Sequence, residues 1–148
     1  MGEKMIVCNS CASVNRIASA RAAKSAKCGK CGRKIFTAHP QNVDGATFRR
    51  HRARTTLPVL LDVWAPWCGP CMMMAPAYEA AAAELEPDVI LIKLNSDTEE
   101  SVSAELGIRS IPTMVLFHGG SEIARTSGAQ SAGQIVRWVR EHLPAAAF

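Results

Sequence analysis

The sequence contains no long apolar run and few aromatic side chains. No stretch approaches the roughly 20 apolar residues that a membrane helix needs, and Phe, Trp and Tyr together make up only 5% of the chain. The first residues also lack the apolar stretch of roughly 7 to 15 residues found in secretory signals. We therefore expect a cytoplasmic protein without a membrane partner. Hydrophobic residues still make up 48% of the 148 residues, enough for a globular core.

Acidic residues are almost absent from the first part of the chain. Residues 1–56 contain 12 Lys and Arg but only two acids, a formal charge of +10, whereas residues 57–148 contain 5 Lys and Arg and 11 acids, a formal charge of −6. The length of 148 residues excludes a large multidomain enzyme. The change in charge along the chain predicts one domain preceded by a small module. We place the module at residues 1–40 and the domain at residues 41–148.

The module lacks the apolar side chains that a core of its own would need. A chain of about 40 residues ordinarily needs a metal, disulfides or a partner to stay folded. Two pairs, Cys8-x-x-Cys11 and Cys28-x-x-Cys31, are separated by 16 residues, the spacing of a four-cysteine zinc site. We expect one structural Zn²⁺. The alternatives are an iron ion held by the same ligands and two local disulfides, which a reducing compartment disfavours.

The basic residues of the module lack the features of a nucleic-acid interface. Lys and Arg cluster at residues 24–34, but no aromatic side chain lies among them and no known binding motif is present. We therefore expect a solvated basic surface, and no nucleic-acid partner.

From Leu57 onward, strand and helix signals alternate. They predict strands at residues 58–64, 89–95, 113–117 and 122–126, and helices at residues 69–85, 99–106 and 131–143, with a short helix before them at 47–54. A His-Gly-Gly turn at 118–120 joins the last two strands. This order predicts an α/β fold with a mixed central sheet flanked by helices. Asp62 interrupts an otherwise apolar strand, so we expect it to be buried.

The last two cysteines lie where the first of these strands meets a helix, in the segment Trp67 to Cys71. At a helix N-terminus, free backbone amides and the helix dipole stabilise a thiolate, so we predict that Cys68 is a nucleophile. Cys71 lies one turn inside the helix, as expected of a resolving thiol. A buried carboxylate has a raised pKa, so Asp62 could accept the proton of Cys71.

These residues resemble the thioredoxin family over residues 42–143. The match rests on Trp-Cys-Gly-Pro-Cys, on the upstream segment Asp62 to Ala65, and on Ser110 to Thr113, which occur in family order. With its cysteine-rich front, the chain resembles the two-domain members. The resemblance implies a thioredoxin fold preceded by a zinc-ribbon-like module, and it places Lys93 beside Asp62. The other interpretation of Asp62 is a structural acid paired with that lysine.

The resemblance also implies which residues contact a target protein and what the protein does. The implied contact residues are Trp67, Gly69, Pro70, Ile111, Pro112, Gly128 and Ala129, with a cis bond before Pro112. The implied function is a protein-disulfide reductase that acts on disulfide-containing proteins. An NADPH-dependent thioredoxin reductase would recycle it, so the chain itself would need no nucleotide or flavin. We expect a monomer.

A competing hypothesis comes from another functional class. Oxidation of the first four cysteines could release the metal and unfold the basic module, which would then expose a protein-binding surface. This redox-responsive zinc module is motivated by the fusion of four thiolates to a redox domain.

One departure from the family follows Cys71, where Met72-Met73-Met74 stands in place of the usual Lys or Arg. We interpret Met73 or Met74 as flexible core filler, and we place Trp138 in the core. The four histidines have no ligand spacing with the cysteines and are expected at the surface; they are His39, His51, His118 and His142.

Overall fold

The computed structural model describes residues 3–18 and 23–144. The outermost residues of the two predicted units, 1–2 and 145–148, and residues 19–22 within the module lie outside these ranges. The strands are β1 Lys4–Val7, β2 Val14–Ile17, β3 Gln41–Asn42, β4 Val59–Trp64, β5 Ile90–Asn95, β6 Thr113–His118 and β7 Ser121–Ser127. The helices are α1 Gly45–Arg54, α2 Gly69–Leu85, α3 Glu100–Glu105 and α4 Ala132–His142. Every predicted helix and strand is confirmed to within two residues at each end.

The central sheet is mixed, as predicted, with strand order β3-β5-β4-β6-β7. Strands β3, β5 and β4 run parallel to one another, β6 pairs antiparallel to β4, and β7 pairs antiparallel to β6. Strand β4 lies at the centre, where Asp62 is only 1% exposed. The predicted turn between β6 and β7 contains Gly119 and Gly120 at φ +62° and +83°, a conformation that glycine adopts without strain.

The helices begin where their sequences provide capping groups. Asp44 caps α1 by accepting from the Thr47 amide, and Ser131 and Gln134 form a capping box at the start of α4. Met74 of α2 is buried in the core as predicted, whereas Met73 is 78% exposed and Trp138 is half-buried. No helix of the described residues combines the length and apolar character needed to cross a membrane.

Apolar side chains cover both faces of the sheet, and the N-terminal module contributes to one of these layers. On one face, α2 and α4 supply Tyr78, Leu85 and Val139. On the other face, Ile6 and Phe36 belong to the same cluster as Phe48 of α1 and Phe117 of β6, whose rings meet edge to face at 5.4 Å. The module therefore shares a core with the rest of the chain, which is how so few apolar residues suffice.

Hydrogen bonds attach β1 to the segment after α1. The Met5 amide donates to Thr56 Oγ1 at 2.9 Å, and the Thr56 amide donates to the Met5 carbonyl at 2.8 Å. The Val7 amide donates to Thr55 Oγ1 at 3.0 Å. Arg50 adds a bond from its Nε to the Ala12 carbonyl at 2.6 Å. These bonds hold β1 and β2, which pair antiparallel, against the main domain.

The prediction of a surface position is wrong for His51, a residue of α1 that is fully buried against the module. Its Nε2 lies 2.6 Å from Asn9 Oδ1, and its Nδ1 lies 2.9 Å from Thr55 Oγ1. Because Asn9 Oδ1 only accepts, Nε2 carries the proton and Nδ1 accepts from the Thr55 hydroxyl. Burial lowers the pKa of His51 to about 4, so the ring is neutral.

Candidate active site and metal centre

Cys68 and Cys71 are joined by a disulfide at the start of α2, with their Cα atoms 5.2 Å apart. Cys68 is the N-cap of this 17-residue helix, and its Sγ accepts from the Cys71 amide at 3.2 Å. Pro70 lies in the first turn, where no intrahelical amide bond is lost. Both cysteines are buried, while Gly69 and Pro70 between them are exposed. In the reduced state, the helix end would favour the Cys68 thiolate.

The structure confirms that Asp62 is buried near the centre of the sheet. Its Oδ1 accepts no hydrogen bond within the described part of the chain. Burial raises the pKa of Asp62 to about 7, and the nearby Lys93 charge opposes this rise. Tyr78 approaches from α2, but its hydroxyl donates to the Leu60 and Ile92 carbonyls at 3.0 and 2.9 Å. Burial also raises the pKa of Tyr78, which keeps it protonated.

Lys93 lies opposite Asp62 in the parallel pairing of β4 with β5, but it does not form an ion pair with it. Its Nζ lies 4.7 Å from the centre of the Trp64 ring, a cation–π contact. Among the described residues, no nitrogen of Lys93 comes within 4.0 Å of an Asp62 oxygen. Lys93 therefore neighbours Asp62 in the sheet, as the resemblance implied, and acts on it through space.

Two loops approach the disulfide from the other side. The Ile111 carbonyl lies 3.7 Å from Cys68 Sγ, and the bond from Ile111 to Pro112 is cis, as the resemblance implied. The Gly128 amide donates to the Pro112 carbonyl at 2.9 Å, with Gly128 at φ +99°. The exposed Ala129 follows it.

A groove of about 480 Å³ opens beside Cys68. Trp67 forms one wall; it is 71% exposed, and its indole Nε1 donates to Asp97 Oδ1 at 3.1 Å. Gly69, Pro70 and Ile111 also line the groove, so four of the seven predicted contact residues meet at this surface. Pro112 lies buried behind it. The groove also contains Arg109, which the sequence argument did not single out although it directly precedes the Ser110 to Thr113 motif.

The four cysteines of the module converge as predicted. All four Sγ atoms lie within 4.8 Å of one another. The short distances join sulfurs from opposite turns: 3.7 Å between Cys8 and Cys31, and 3.5 Å between Cys11 and Cys28. A tetrahedral ion with Zn–S bonds of about 2.3 Å would separate its sulfurs by about 3.8 Å. The donor set therefore fits such an ion, and the crossed arrangement disfavours two local disulfides.

The two cysteine turns have the same backbone geometry. In the first turn, the Cys8 amide donates to the Ser13 carbonyl and the Ala12 amide donates to the Cys8 carbonyl. In the second turn, the Cys28 amide donates to the Arg33 carbonyl and the Gly32 amide donates to the Cys28 carbonyl. The residue after the second cysteine of each turn has a positive φ: +62° at Ala12 and +79° at Gly32. Local sequence thus forms each half of the site.

Asn15 joins the two turns. Its Nδ2 donates to the Ser13 carbonyl at 3.3 Å and lies 3.5 Å from Cys28 Sγ, while its Oδ1 accepts from the Gly29 amide at 2.9 Å. The Cys31 amide and then Asn15 lower the pKa of Cys28 to about 6, whereas burial raises the pKa of Cys8 to about 11. Cys28 therefore favours the thiolate form that metal binding requires.

Sequence reasoning missed three asparagines and one histidine that organise these sites: Asn9, Asn15, Asn42 and His51. A signal was available for His51, since it follows Phe48 by three residues and precedes Thr55 by four, which places all three on one helix face. No local pattern pointed to Asn42, whose Oδ1 accepts from the Trp64 indole at 2.8 Å.

Both the cysteine-rich N-terminal segment and the rest of the chain are similar to known protein families. The family model described as Thioredoxin matches residues 39–141, and the one described as Thioredoxin 2, N-terminal, matches residues 7–33. Thioredoxin C-3 of Corynebacterium nephridii is 37% identical over 139 residues, covering 94% of this chain and 95% of that protein. Thioredoxin of Porphyra purpurea is 44% identical over 87 residues, covering 59% of this chain and 81% of that protein.

Among solved structures, the crystal structure of Malassezia sympodialis thioredoxin is similar, with a TM-score of 0.63 and 28% identity. The similarity covers 73% of this chain and 94% of that one. The fold is therefore the thioredoxin fold, here preceded by a zinc-ribbon-like module. From the two matched family models, the relatives and the cysteine pair at the start of α2, we conclude that this chain belongs to the thioredoxin family and is a thiol-disulfide oxidoreductase.

Proposed function

We propose that this protein reduces disulfides in target proteins with the Cys68–Cys71 dithiol. The observation that carries the proposal is the position of Cys68: it caps a long helix, borders an open groove, and is already joined to Cys71. A Cys68–Cys71 disulfide is the form that such a reaction would leave.

The proposed reaction has two thiol-disulfide exchanges. The Cys68 thiolate attacks one sulfur of the target disulfide, which breaks that S–S bond, releases the other target sulfur as a thiolate and forms a mixed disulfide. Cys71 then gives its proton to Asp62 and attacks Cys68 Sγ, which releases the second target thiolate. Two electrons pass to the target, and the Cys68–Cys71 disulfide remains.

The remaining site residues would position the target. Trp67, Gly69, Pro70 and Ile111 line the groove, and Pro112, Gly128 and Ala129 form the adjoining loops. An extended target segment could pair with the backbone there. Lys93 would tune Asp62 by its charge. The Gly-Pro sequence between the cysteines, by family resemblance, favours the reducing direction.

We further propose the setting in which the protein works. An NADPH-dependent thioredoxin reductase would restore the dithiol, so no nucleotide or flavin is needed in this chain. The protein would act as a cytoplasmic monomer with a metal module at residues 1–40 and a redox domain at residues 41–148.

An NADPH-coupled assay of protein-disulfide reduction, with purified thioredoxin reductase, tests the proposal. We expect Cys68→Ser to lower turnover by at least about a thousandfold, because no other thiolate can attack from the groove. The control is Cys8→Ser, which should reduce stability but leave turnover measurable. Undiminished turnover in Cys68→Ser would refute the enzyme mechanism.

The four N-terminal cysteines would hold one structural Zn²⁺. When bound, the ion would supply a rigid cross-link between the two turns; Cys8, Cys11, Cys28 and Cys31 would fill all four tetrahedral positions and leave none for chemistry. Metal analysis of the purified protein, with iron measured beside zinc, checks the ion's identity.

The second candidate function, a redox-responsive module, is favoured by one observation: Cys31 is exposed and so accessible to a peroxide or disulfide oxidant. Oxidation of two of the four thiolates to a disulfide would remove two ligands. Titration with oxidant in the presence of a zinc-sensitive dye decides between the candidates. Metal that stays bound after Cys68 and Cys71 are fully oxidised would contradict the switch.

A further inference from the structure

The side chain of Lys93 has two possible partners, and the structure shows it with only one. Its strand neighbour Asp62 is a buried carboxyl group that lacks a hydrogen bond at Oδ1 within the described residues. The ammonium group nevertheless lies over the Trp64 ring at 4.7 Å. An aromatic face attracts a cation less strongly than a nearby carboxylate does in a buried site. The Lys93 ammonium group thus rests on the Trp64 ring although a carboxyl group lies on the neighbouring strand.

The Trp64 ring is held by one side-chain hydrogen bond. Its Nε1 donates to Asn42 Oδ1 at 2.8 Å. Asn42 lies in the edge strand β3, opposite Lys93 in the pairing of β3 with β5. Asn42, Lys93 and Asp62 therefore form a row across β3, β5 and β4, and Trp64 lies two residues after Asp62 on β4.

We propose that Asn42 is a positioning residue: by fixing the Trp64 indole, it keeps the Lys93 ammonium on the ring and away from the Asp62 carboxylate. This inference rests on the proposed function, in which Asp62 accepts the proton of Cys71. Asn42 contacts neither the cysteines nor the groove, so its effect on the reaction passes through Trp64 and Lys93.

The Lys93 side chain has room to leave the Trp64 ring. A cavity of about 440 Å³ is lined by Asn42, Lys93, Met72 and Glu79, among others. Asp62 does not line this cavity, but it is the strand neighbour of Lys93, so an ammonium group released from the ring has a second partner on the adjacent strand. A cation at about 4 to 6 Å from a carboxylate lowers its pKa by about 1 to 3 units, which would make Asp62 a weaker base.

The other charged groups around this pair are few. On α2, Glu79 borders the same cavity and is engaged by His39 at 3.1 Å. Tyr78 interacts electrostatically with Asp62 but stays protonated. From β6, the residue opposite Asp62 is Met114, which carries no charge. The redox cysteines do not titrate while they form the disulfide. Lys93 is therefore the one cation, among the described residues that interact with Asp62, whose movement can change the titration of that carboxyl.

The experiment measures the titration of Asp62 directly, by NMR of the carboxyl carbon in the oxidised protein labelled with ¹³C-aspartate. The variant Asn42→Ala removes the acceptor for the indole. Asn42→Asp keeps an acceptor at the same place. Gln41→Ala, the neighbouring residue of β3, serves as the matched control. Lys93→Met, alone and combined with Asn42→Ala, tests whether the effect passes through the lysine.

We expect the Asp62 midpoint to fall by about 1 pH unit in Asn42→Ala, to stay at or above the wild-type value in Asn42→Asp, and to be unchanged in Gln41→Ala. In the Lys93→Met background, Asn42→Ala should have no effect. The acid limb of the reductase pH profile should move to lower pH with the midpoint in Asn42→Ala.

An unchanged or higher midpoint in Asn42→Ala would overturn the inference, as would an equal fall in the Lys93→Met background. The proposed function fails separately: if Asp62→Asn reduces target disulfides at the wild-type rate across the pH range, Asp62 is not the proton acceptor. The NMR midpoints would still decide the role of Asn42, because they do not depend on turnover.

Discussion

Three Cys-x-x-Cys pairs of identical spacing occur in this chain, and the backbone around them gives them different chemistry. The N-terminal pairs lie in tight turns, where Cys8 Sγ accepts from the Ser10 amide and Cys28 Sγ accepts from the Lys30 amide, each at 3.4 Å. The third pair begins a helix, where Cys68 Sγ accepts from the amide of its own partner, Cys71.

The consequence is a difference in which sulfurs meet. In the turns, each sulfur lies close to one from the opposite turn, which suits four ligands around a single ion. At the helix, the two sulfurs of one pair meet each other and form a disulfide. The comparison teaches that spacing selects the residues, while the local fold selects between metal binding and redox exchange.

Removal of the proposed Zn²⁺ should have the largest effect on stability, and the two cysteine turns should lose their structure first. Structural zinc contributes on the order of 10 kcal/mol to the folding of small modules. Because Ile6 and Phe36 share a core with Phe48, we expect a chelator to lower the melting temperature of the whole chain in calorimetry. The double variant Cys68→Ser/Cys71→Ser should respond in the same way. A separate, unmoved transition for the redox domain would contradict a shared core.

Asp62 should make the helix site sensitive to pH in a way that the turns are not. Its pKa is about 7 in the folded protein and 3.8 unfolded, so the folded state retains a proton that the unfolded state has lost. Its contribution to stability is therefore present below about pH 4 and falls, by about 4 kcal/mol, as the pH rises to 7. Urea unfolding of wild type and Asp62→Asn across this range checks it, since the variant should not show this fall. Parallel curves would exclude a raised pKa.

His51→Ala should weaken the contact between the module and the redox domain. The variant leaves a cavity and removes the partners of Asn9 and Thr55, which we expect to lower the unfolding free energy by about 3 kcal/mol. The exposed His142 provides the control, and its replacement by Ala should cost less than about 1 kcal/mol.

The pH dependence of His51 has the opposite sign to that of Asp62. The pKa of His51 is lowered from 6.5 to about 4, so its contribution is present above pH 6.5 and is lost as the pH falls to 4. The same unfolding series should show this loss in wild type and not in His51→Gln. A loss that persists in His51→Gln would argue against His51 as its source.

The smallest expected change in stability comes from substitutions at the equivalent positions of the two cysteine turns. Ala12 and Gly32 occupy equivalent positive-φ positions, which cost an alanine about 1 kcal/mol more than a glycine. Ala12→Gly should therefore stabilise the metal-bound protein by about 1 kcal/mol in thermal unfolding. Gly32→Ala should destabilise it by a similar amount, because its added Cβ would meet no atom within 4 Å and only the backbone is strained. Changes of equal sign would show that the turns are not equivalent.

Much of the fold was predictable because periodic patterns extend over many residues. The apolar run of β4 and the long helix α2 were found within one residue of their ends. The short strands β1, β2 and β3 were not predicted, since strands of two to four residues depend on the partner against which they pair. The same limit applies to the site. The six cysteines and Asp62 could be identified from local sequence, whereas Asn42 and the position of Lys93 could not.

By itself, the sequence determined the three cysteine pairs, the alternation of strands and helices, and the separation of a basic module from an acidic domain. These features depend on neighbours a few residues away. Only the tertiary structure decided that Cys8 meets Cys31, that His51 is buried against the first cysteine turn, and that Asn42 holds Trp64 over Lys93. Such contacts join residues 20 or more positions apart, and their geometry follows from how the module and the sheet pack together.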